Sequence, residues 1–373
     1  MSNNNLLKNF SPAWFAAIMG TGGFANVLFL WGKVWPFARS LGIALAWLNA
    51  ILYVLFLIPW LLRWLLYYND LKQDLNHPVM GNFFVTMPVG TMILASNAVL
   101  MGSEFLGKHF IYLGSWIAWL IGIVGALLLS LYVGYRSLTS EQTPIQALNF
   151  AWLITPVASI AVPLIGNPLV GMIKQTGTSN AKTVLLLNLS FYGIGFFLFL
   201  FIGAIVLNRL IQHALPPAAM APTFWITLGP IGVGAVSLMG LADAAKSLGI
   251  LNSVDTYYLL AAIFWGFGIW GLGIAVVLTW RYHKQSGIPF SLSWWAFIFP
   301  LAAYTMASLK IAGYFSSSLI LVYALLLTLL LAYLWLITFI RSLVNSLNGK
   351  LFQPQPQPQL QSQAQQGTPP GKL

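Results

Sequence analysis

The chain has 373 residues, of which 59% are hydrophobic and only 6% are charged. Soluble proteins carry about 25% charged residues, so this composition excludes a soluble globular domain and indicates a membrane protein. The net charge of +11 does not indicate a nucleic-acid partner, because the basic residues lie at segment ends rather than in one patch. With no cysteine, disulfides, thiolate nucleophiles and cysteine metal sites are excluded.

Long uncharged runs follow one another along the chain, and each is long enough to cross the roughly 20-residue hydrocarbon core as a helix. They lack the alternating pattern of a membrane β-barrel. The first run is too long for a signal peptide and has no convincing cleavage site. We predict an all-α membrane protein with about ten transmembrane helices, near residues 10–31, 40–66, 79–102, 110–135, 146–170, 183–211, 222–245, 256–281, 291–313 and 316–343.

Every second predicted helix carries a helix breaker, about 70 residues after the previous one, with an aromatic residue just ahead of it. Proline removes a backbone donor, and non-helical backbone at membrane depth survives only inside protein or against a wet cavity. The period therefore predicts five helical hairpins, each with one kinked and one straight helix, whose kinked members surround a central pore. The kinks are Gly20, Pro88, Pro156, Pro230 and Pro300, and the aromatics are Phe15, Phe84, Trp152, Trp225 and Trp295.

Three regions follow from this pattern. Residues 1–9 form a short cytoplasmic N-terminus, and residues 10–345 form the transmembrane pore domain. Residues 346–373 form a C-terminal tail rich in proline and glutamine, which cannot bury a core and is predicted to be disordered.

The basic residues are distributed unequally between the two faces. Ten of the 17 lysines and arginines are predicted to share one face, which the positive-inside rule makes cytoplasmic. We therefore expect a multi-pass protein of the cell (plasma or inner) membrane with both termini in the cytoplasm. The ten are Lys8, Arg63, Lys72, Arg136, Arg209, Arg281, Lys284, Arg341, Lys350 and Lys372.

The odd-numbered helices carry three charged residues near one end, namely Asp243, Lys246 and Lys310. Asp243 and Lys246 are three residues apart and can pair along a helix. A weakly polar pore rimmed by Lys246 and Lys310 would attract anions without trapping them; the alternative is an interfacial ion pair beside a snorkelling lysine. Small hydroxyl residues of the odd helices would either supply the weakly polar lining of the pore or only allow the helices to pack closely. They are Thr86, Thr91, Ser96, Thr155, Ser159, Thr227, Ser237, Thr305 and Ser308.

Residues for catalysis or cofactor binding are lacking at mid-depth. The four histidines, His77, His109, His213 and His283, lie at segment ends and are too scattered for a metal site. The glycine-rich stretch 20–23 lies in an apolar helix without a preceding strand, which disfavours nucleotide binding. We predict no cofactor, no metal and no catalytic residue, because an enzyme would need clustered acids, histidines or a nucleophile.

Several motifs resemble the tellurite-resistance/dicarboxylate transporter family, which includes bacterial TehA and the plant slow-type anion channels. The similar stretches are Pro12-Ala13-Trp14-Phe15 with Met19-Gly20-Thr21-Gly22-Gly23, then His77-Pro78 to Asn82-Phe83-Phe84, and Trp294 to Leu301 in the ninth helix. The resemblance covers about residues 10–345.

The resemblance implies a quasi-five-fold bundle in which the five odd helices line the pore and the even ones form an outer ring. It also implies a homotrimer with one pore per subunit. A phenylalanine of the ninth helix is expected to plug the pore; the motif selects Phe299, with Phe297 as the alternative. A second aromatic of the third helix is expected beside it, namely Phe84 or, failing that, Phe83.

Three functions remain open at this point. The first is a channel that conducts small inorganic or organic anions across the bilayer. The second is a carrier or exporter of a C4-dicarboxylate, sulfite or tellurite; a dicarboxylate carrier would present an arginine at mid-depth, and no odd helix does. The third, a membrane-embedded enzyme, is disfavoured by the six scattered acidic residues.

Overall fold

A computed structural model describes residues 3–139, 145–177 and 180–353. Within these residues, ten helices are long and apolar enough to cross a membrane, which confirms the predicted all-α, ten-span architecture. In chain order they are α1 (Pro12–Trp31), α2 (Pro36–Leu66), α3 (Met80–Glu104), α4 (Lys108–Thr139), α5 (Phe150–Thr176), α6 (Ala181–Gln212), α7 (Ala218–Ser247), α8 (Asp255–Gln285), α9 (Leu292–Phe315) and α10 (Ser318–Leu347).

The odd and even helices differ sharply in burial. The apolar windows of the odd helices are 67–89% buried, whereas those of the even helices are each 22% buried. Each odd helix packs against the next odd helix, and α9 packs against α1, so the five form a closed ring. Each even helix packs against two odd helices, which for α10 are α9 and α1, and leaves its other face exposed, as a helix in contact with lipid does.

The prolines mark a change of helix type. Each odd helix begins with 3-10 turns and continues as α-helix, and in four of the five the proline is the third residue of the α-helical part. The backbone N–H groups of the first turn of an α-helix have no hydrogen-bond partner within that helix, so a proline at this position loses no α-helical hydrogen bond. The prolines therefore lie in the first half of their helices. The α-helical parts begin at Phe15, Thr86, Ile154, Leu228 and Ile298, and Gly20 lies further along its own helix.

A hydrogen-bonded group of asparagines joins α1, α2 and α3 inside the bundle. The Asn97 side-chain amide donates to Gly22 O (2.9 Å) and to Asn26 Oδ1 (2.7 Å), and it accepts from Asn49 Nδ2 (3.1 Å). Asn26 Nδ2 in turn donates to Ser96 Oγ (3.1 Å). Because a buried amide without partners is costly, these contacts fix how the three helices are rotated against one another.

The connection between α2 and α3 contains a helix that the sequence analysis did not predict, at Tyr68–Asn76. Its Asp74 carboxylate accepts from Arg63 Nη2 at 2.7 Å, and Asp70 forms an ion pair with Lys8 at 3.4 Å. The Arg63 side chain is almost fully buried and also donates to Phe10 O at 2.8 Å. This short helix therefore ties the start of α1 to the end of α2.

The two ends of the described chain meet on this same face. Asn9 Nδ2 donates to Phe352 O at 3.0 Å, and the Phe352 ring stacks on Trp14 with centroids 5.7 Å apart. The first residues of the predicted C-terminal tail, up to Gln353, thus belong to the folded structure. The rest of that tail, from residue 354, lies outside the described residues.

Candidate functional site

Phe299 lies on the side of α9 that faces the middle of the ring. The opposite side of α9 contacts the outer helix α8, where Ser308 Oγ accepts from Trp265 Nε1 at 2.9 Å and Tyr304 Oη donates to Trp265 O at 3.3 Å. Nine residues separate Phe299 from Ser308, which is two and a half turns of helix. The Phe299 ring therefore points away from α8, into the ring of odd helices.

One glycine lies against Phe299, and a second lies beside the neighbouring Pro300. A β-carbon at Gly23 of α1 would lie 3.8 Å from Cδ2 of Phe299 and 3.1 Å from Cβ of Ala302. On the other side, a β-carbon at Gly229 of α7 would lie 3.4 Å from Val157 of α5 and 3.8 Å from Pro300. Four odd helices thus converge here, and Phe299 is only 5% exposed. We call this level, with Phe299, Gly23 and Gly229, the constriction.

Neither constriction glycine was among the predicted site residues. Gly23 ends the glycine-rich stretch of α1, and Gly229 directly precedes the Pro230 kink. The sequence signal was a glycine close to a helix breaker. Such a glycine indicates close packing, but it does not identify the neighbouring residue against which the helix packs.

The other predicted aromatics lie elsewhere. The Phe84 ring packs against Trp60 of the outer helix α2, with centroids 5.4 Å apart, rather than beside Phe299. It lines an apolar groove of about 510 Å³ between α2, α3 and α4, and Pro88 also lines this groove. Phe297, the alternative gate residue, packs edge-on against Trp225 (5.4 Å) and Trp294 (5.7 Å).

The helix face that carries Phe299 continues towards the C-terminal end of α9. Residues spaced by four, seven and eleven share one helix face, and this spacing defines the inward face of α9: Phe299, Ala303, Met306 and Lys310. Phe299 and Ala303 are buried, whereas Met306 and Lys310 are partly exposed. This face is therefore buried at the constriction and partly exposed towards Lys310.

The same reasoning orients α7. Its outer side contacts α8, where a β-carbon at Gly234 would lie 2.3 Å from the Phe264 ring. Gly229 lies on the opposite side, between α5 and α9. The inward face of α7 therefore begins at Gly229 and continues with Val233, Val236 and Gly240. Asp243 follows on the same helical spacing, but its carboxylate turns to Tyr258 of α8.

The predicted Asp243–Lys246 pair does not form among the described residues. Both carboxylate oxygens of Asp243 instead accept from the Tyr258 hydroxyl at 3.0 Å. The sequence analysis did not count Lys174 among the charged residues of the odd helices, because α5 extends beyond its predicted end. The Lys174 side chain is exposed and donates to Ser247 O.

Most of the predicted hydroxyl lining is occupied in contacts between or within helices. Thr91 Oγ1 bonds Tyr53 Oη (2.7 Å), Ser237 Oγ donates to Ile160 O (2.9 Å) and Thr305 Oγ1 donates to Leu301 O (2.7 Å). Ser159 is fully buried, and its hydroxyl has no hydrogen-bond partner among the residues that the structure describes. Helix packing, the alternative given for these residues, accounts for the bonded hydroxyls.

A small cavity of about 20 Å³ lies at the opposite end, beside His77, Asn82, Arg136 and Trp152. It has room for about one water molecule. His77 Nδ1 accepts the backbone amides of Val79 (3.2 Å) and Met80 (3.1 Å). Burial lowers the pKa of His77 and Arg136 acts in the same direction, against Asp74, so this imidazole is neutral at pH 7. No cluster able to hold a metal ion occurs within the described residues.

Comparison with known proteins gives a consistent result. The model of the voltage-dependent anion channel family matches residues 9–343. An uncharacterized transporter of Methanocaldococcus jannaschii is 36% identical, over 94% of this chain and 98% of the relative. A sulfite efflux pump of Trichophyton rubrum is 26% identical over 93% of each chain. A malic acid transport protein of Schizosaccharomyces pombe is 23% identical over 82% of this chain and 71% of the relative.

Proposed function

The chain belongs to the voltage-dependent anion channel family, and we propose that it conducts small anions passively through the ring of odd helices. The pathway runs along the inward faces of α7 and α9, past the constriction, and opens when the Phe299 ring rotates away. A phenyl ring in a narrow apolar passage excludes water and thereby blocks ions, as in other hydrophobic gates.

One observation carries this proposal. Phe299, which the motif selects, lies on the inner side of a closed ring of five helices and against Gly23 of the neighbouring helix. Glycine at that place leaves the ring room that a side chain would occupy. The predicted kink residues Pro88, Pro156, Pro230 and Pro300 belong to the proposal as the points near which four of the inner helices change from 3-10 to α geometry, whereas Gly20 lies within an unbroken α-helix.

The second candidate is a carrier on the same fold, favoured by the printed functions of two relatives, a sulfite efflux pump and a malic acid transport protein. A carrier that binds a dicarboxylate would be expected to present an arginine fork at mid-depth. All arginines of this chain lie outside the odd helices, and the inward face of α9 carries one lysine near its end. This arrangement supports weak, transient attraction of an anion, which suits conduction.

Purified protein in planar bilayers under an anion gradient distinguishes the two candidates. A channel gives unitary current steps and a reversal potential that follows the anion gradient. Saturable, electroneutral flux without steps supports the carrier instead. A reversal potential that follows the cation gradient would contradict both.

Assembly and orientation are also proposed. We place the protein in the cell membrane as a homotrimer with one pathway per subunit and with both termini in the cytoplasm. The meeting of Asn9 with Phe352 supports a common side for the two ends. The basic residues near these ends support the cytoplasmic side.

Lys310→Gln is expected to lower the anion current about fivefold, because one unit charge near a passing anion is worth ~1 kcal/mol at intermediate dielectric. Lys310 lies on the inward face of α9 and is partly shielded from water. The single-channel conductance in symmetric nitrate measures the effect.

Two variants serve as controls for Lys310. Lys310→Arg keeps the charge and should keep most of the current. Lys246→Gln should have a smaller effect, since Lys246 is exposed and its field is screened by salt. An unchanged current in Lys310→Gln would remove this lysine from the pathway.

A further inference from the structure

The apolar groove between α2 and α4 lies on the outside of the molecule, and the inner helix α3 forms its floor. Phe84 and Pro88 of α3 are buried there, whereas Val124 and Leu128 at the rim on α4 are 52% and 60% exposed. A β-carbon at Gly125 of α4 would lie 2.8 Å from Cβ of Pro88, so α4 approaches the floor closely. The groove therefore opens sideways, towards the lipid that surrounds the outer helices.

The groove is about as long as one leaflet of a bilayer is thick. Its lining on α4 runs from Leu120 to Leu129, which is ~14 Å of helix. This length is about half of the roughly 30 Å hydrocarbon core of a membrane. The volume of about 510 Å³ is in the range of small-molecule sites. A trough with these dimensions and an apolar lining fits an acyl chain that extends through one leaflet.

A positive charge lies beyond one end of the groove. The groove-lining face of α4 continues from Leu128 through Tyr132 to Arg136, at spacings of four residues. Arg136 Nη1 donates to the backbone carbonyls of Leu75 (3.4 Å) and Asn76. These neutral acceptors do not cancel its charge, and among the described residues no carboxylate lies within ion-pair distance of it.

The short helix that follows α2 crosses the same end of the groove. Its residues Tyr68, Lys72 and Asn76 share one face, because they are spaced by four. The Tyr68 ring lies against Trp64, a groove residue of α2, with centroids 6.4 Å apart. Asn76 Oδ1 accepts from the Tyr132 hydroxyl of α4 at 2.6 Å. This face therefore extends from α2 to α4 and places the exposed Lys72 above the groove.

The chemistry of the two parts identifies one kind of ligand. Trp and Tyr side chains are typical of the membrane–water interface, which places Trp64 and Tyr68 at headgroup depth. Basic side chains at that depth attract the anionic lipids of the cytoplasmic leaflet. The orientation proposed above puts this end of the molecule, where Asn9 meets Phe352, on the cytoplasmic side.

We propose that the groove is a binding site for an anionic phospholipid of the cytoplasmic leaflet. One acyl chain lies along the groove, and the headgroup phosphate lies between Lys72 and Arg136. The chain contacts Phe84 and Pro88, which lie on either side of Thr86, where α3 changes from 3-10 to α-helix. A bound lipid thus holds the outer helices α2 and α4 against this part of the inner helix.

Phosphatidylglycerol and phosphatidylcholine with the same oleoyl chains test the headgroup, because they differ in net charge. Native mass spectrometry of the purified full chain gives the affinity of the first lipid per subunit. The wild type should bind phosphatidylglycerol at least fivefold more tightly. Lys72→Gln should lower that affinity about fivefold, since each basic residue near the surface contributes about 1 kcal/mol, and should leave phosphatidylcholine binding unchanged. Lys284→Gln, an exposed lysine at the end of α8, is the matched control and should change neither affinity.

Val124→Trp tests the groove, because the larger side chain occupies the space of the acyl chain. It should lower the affinity for both lipids about tenfold, which corresponds to the displacement of about two methylene groups. Ile117→Trp is its matched control. Ile117 lies seven residues earlier on the same face of α4, is 60% exposed and does not line the groove, so both affinities should stay as in the wild type.

Equal affinity of the wild type for the two lipids overturns the proposal, and so does wild-type binding by Val124→Trp. A change in the number of subunits in the Val124→Trp spectra would show that a second copy of the chain covers the groove, which also overturns it. Unfolding midpoints like that of the wild type show that each variant is folded. The experiment measures no ion current, so its outcome is independent of the proposed anion conduction.

Discussion

Phe299→Ala should raise the basal anion conductance about tenfold or more, the largest functional change expected from one substitution in this chain. Tenfold requires only ~1.4 kcal/mol off the barrier to ion passage. Removal of the ring leaves a space beside Gly23, which has no side chain to fill it and which water can enter. Unitary recordings in planar bilayers with symmetric nitrate measure the change in conductance and in open probability.

Phe297→Ala and Phe84→Ala are the controls for this experiment. Both residues are buried phenylalanines near a helix kink, but Phe297 packs against Trp225 and Trp294, and Phe84 packs against Trp60. Each truncation should cost packing energy without opening the pathway. The gate assignment is wrong if Phe299→Ala leaves the current unchanged, or if either control increases it equally.

Gly195→Ala should destabilise the fold more than other small substitutions on the outer helices. A β-carbon there would lie 2.6 Å from Ile160 N and 2.6 Å from Pro156 O, which are backbone atoms of α5 directly after its 3-10 turns. Backbone cannot rotate away as a side chain can, so α6 must move off α5. Such overpacking costs about 1–3 kcal/mol or more. The thermal unfolding midpoint of detergent-solubilised protein measures the loss.

Gly193→Ala, two residues earlier on the same helix, is the matched control. A β-carbon at Gly193 would meet nothing within 4 Å. Alanine stabilises a helix relative to glycine by roughly 0.5–1 kcal/mol, and Gly193 is partly exposed, so this variant should be as stable as the wild type or more stable. Equal midpoints for the two variants would show that α5 and α6 are not in close backbone contact at Pro156.

The polar contacts show where prediction from sequence stopped. Lys174 was not predicted to belong to an odd helix, because α5 extends to Thr176, beyond the predicted end at 170. The helix Tyr68–Asn76 was not predicted, because it is polar and too short to span a membrane. Asp243 was expected to pair with Lys246 along its own helix, yet Tyr258 from α8 accounts for its hydrogen bonds. The spacing of residues along one helix predicts which of them can pair with each other. It does not predict which side chains of other helices compete for the same carboxylate or amino group.

Hydropathy alone determined the ten spans, and the repeat of breakers separated the two classes of helix that the structure places inside and outside. The tertiary structure decided how each inner helix is rotated. An outer helix has lipid on one side and protein on the other, but an inner helix such as α9 is apolar all round, so its sequence contains no amphipathic signal for rotation. Phe84 and Phe299 therefore look alike in sequence. Packing alone turns Phe84 towards Trp60 and Phe299 towards Gly23.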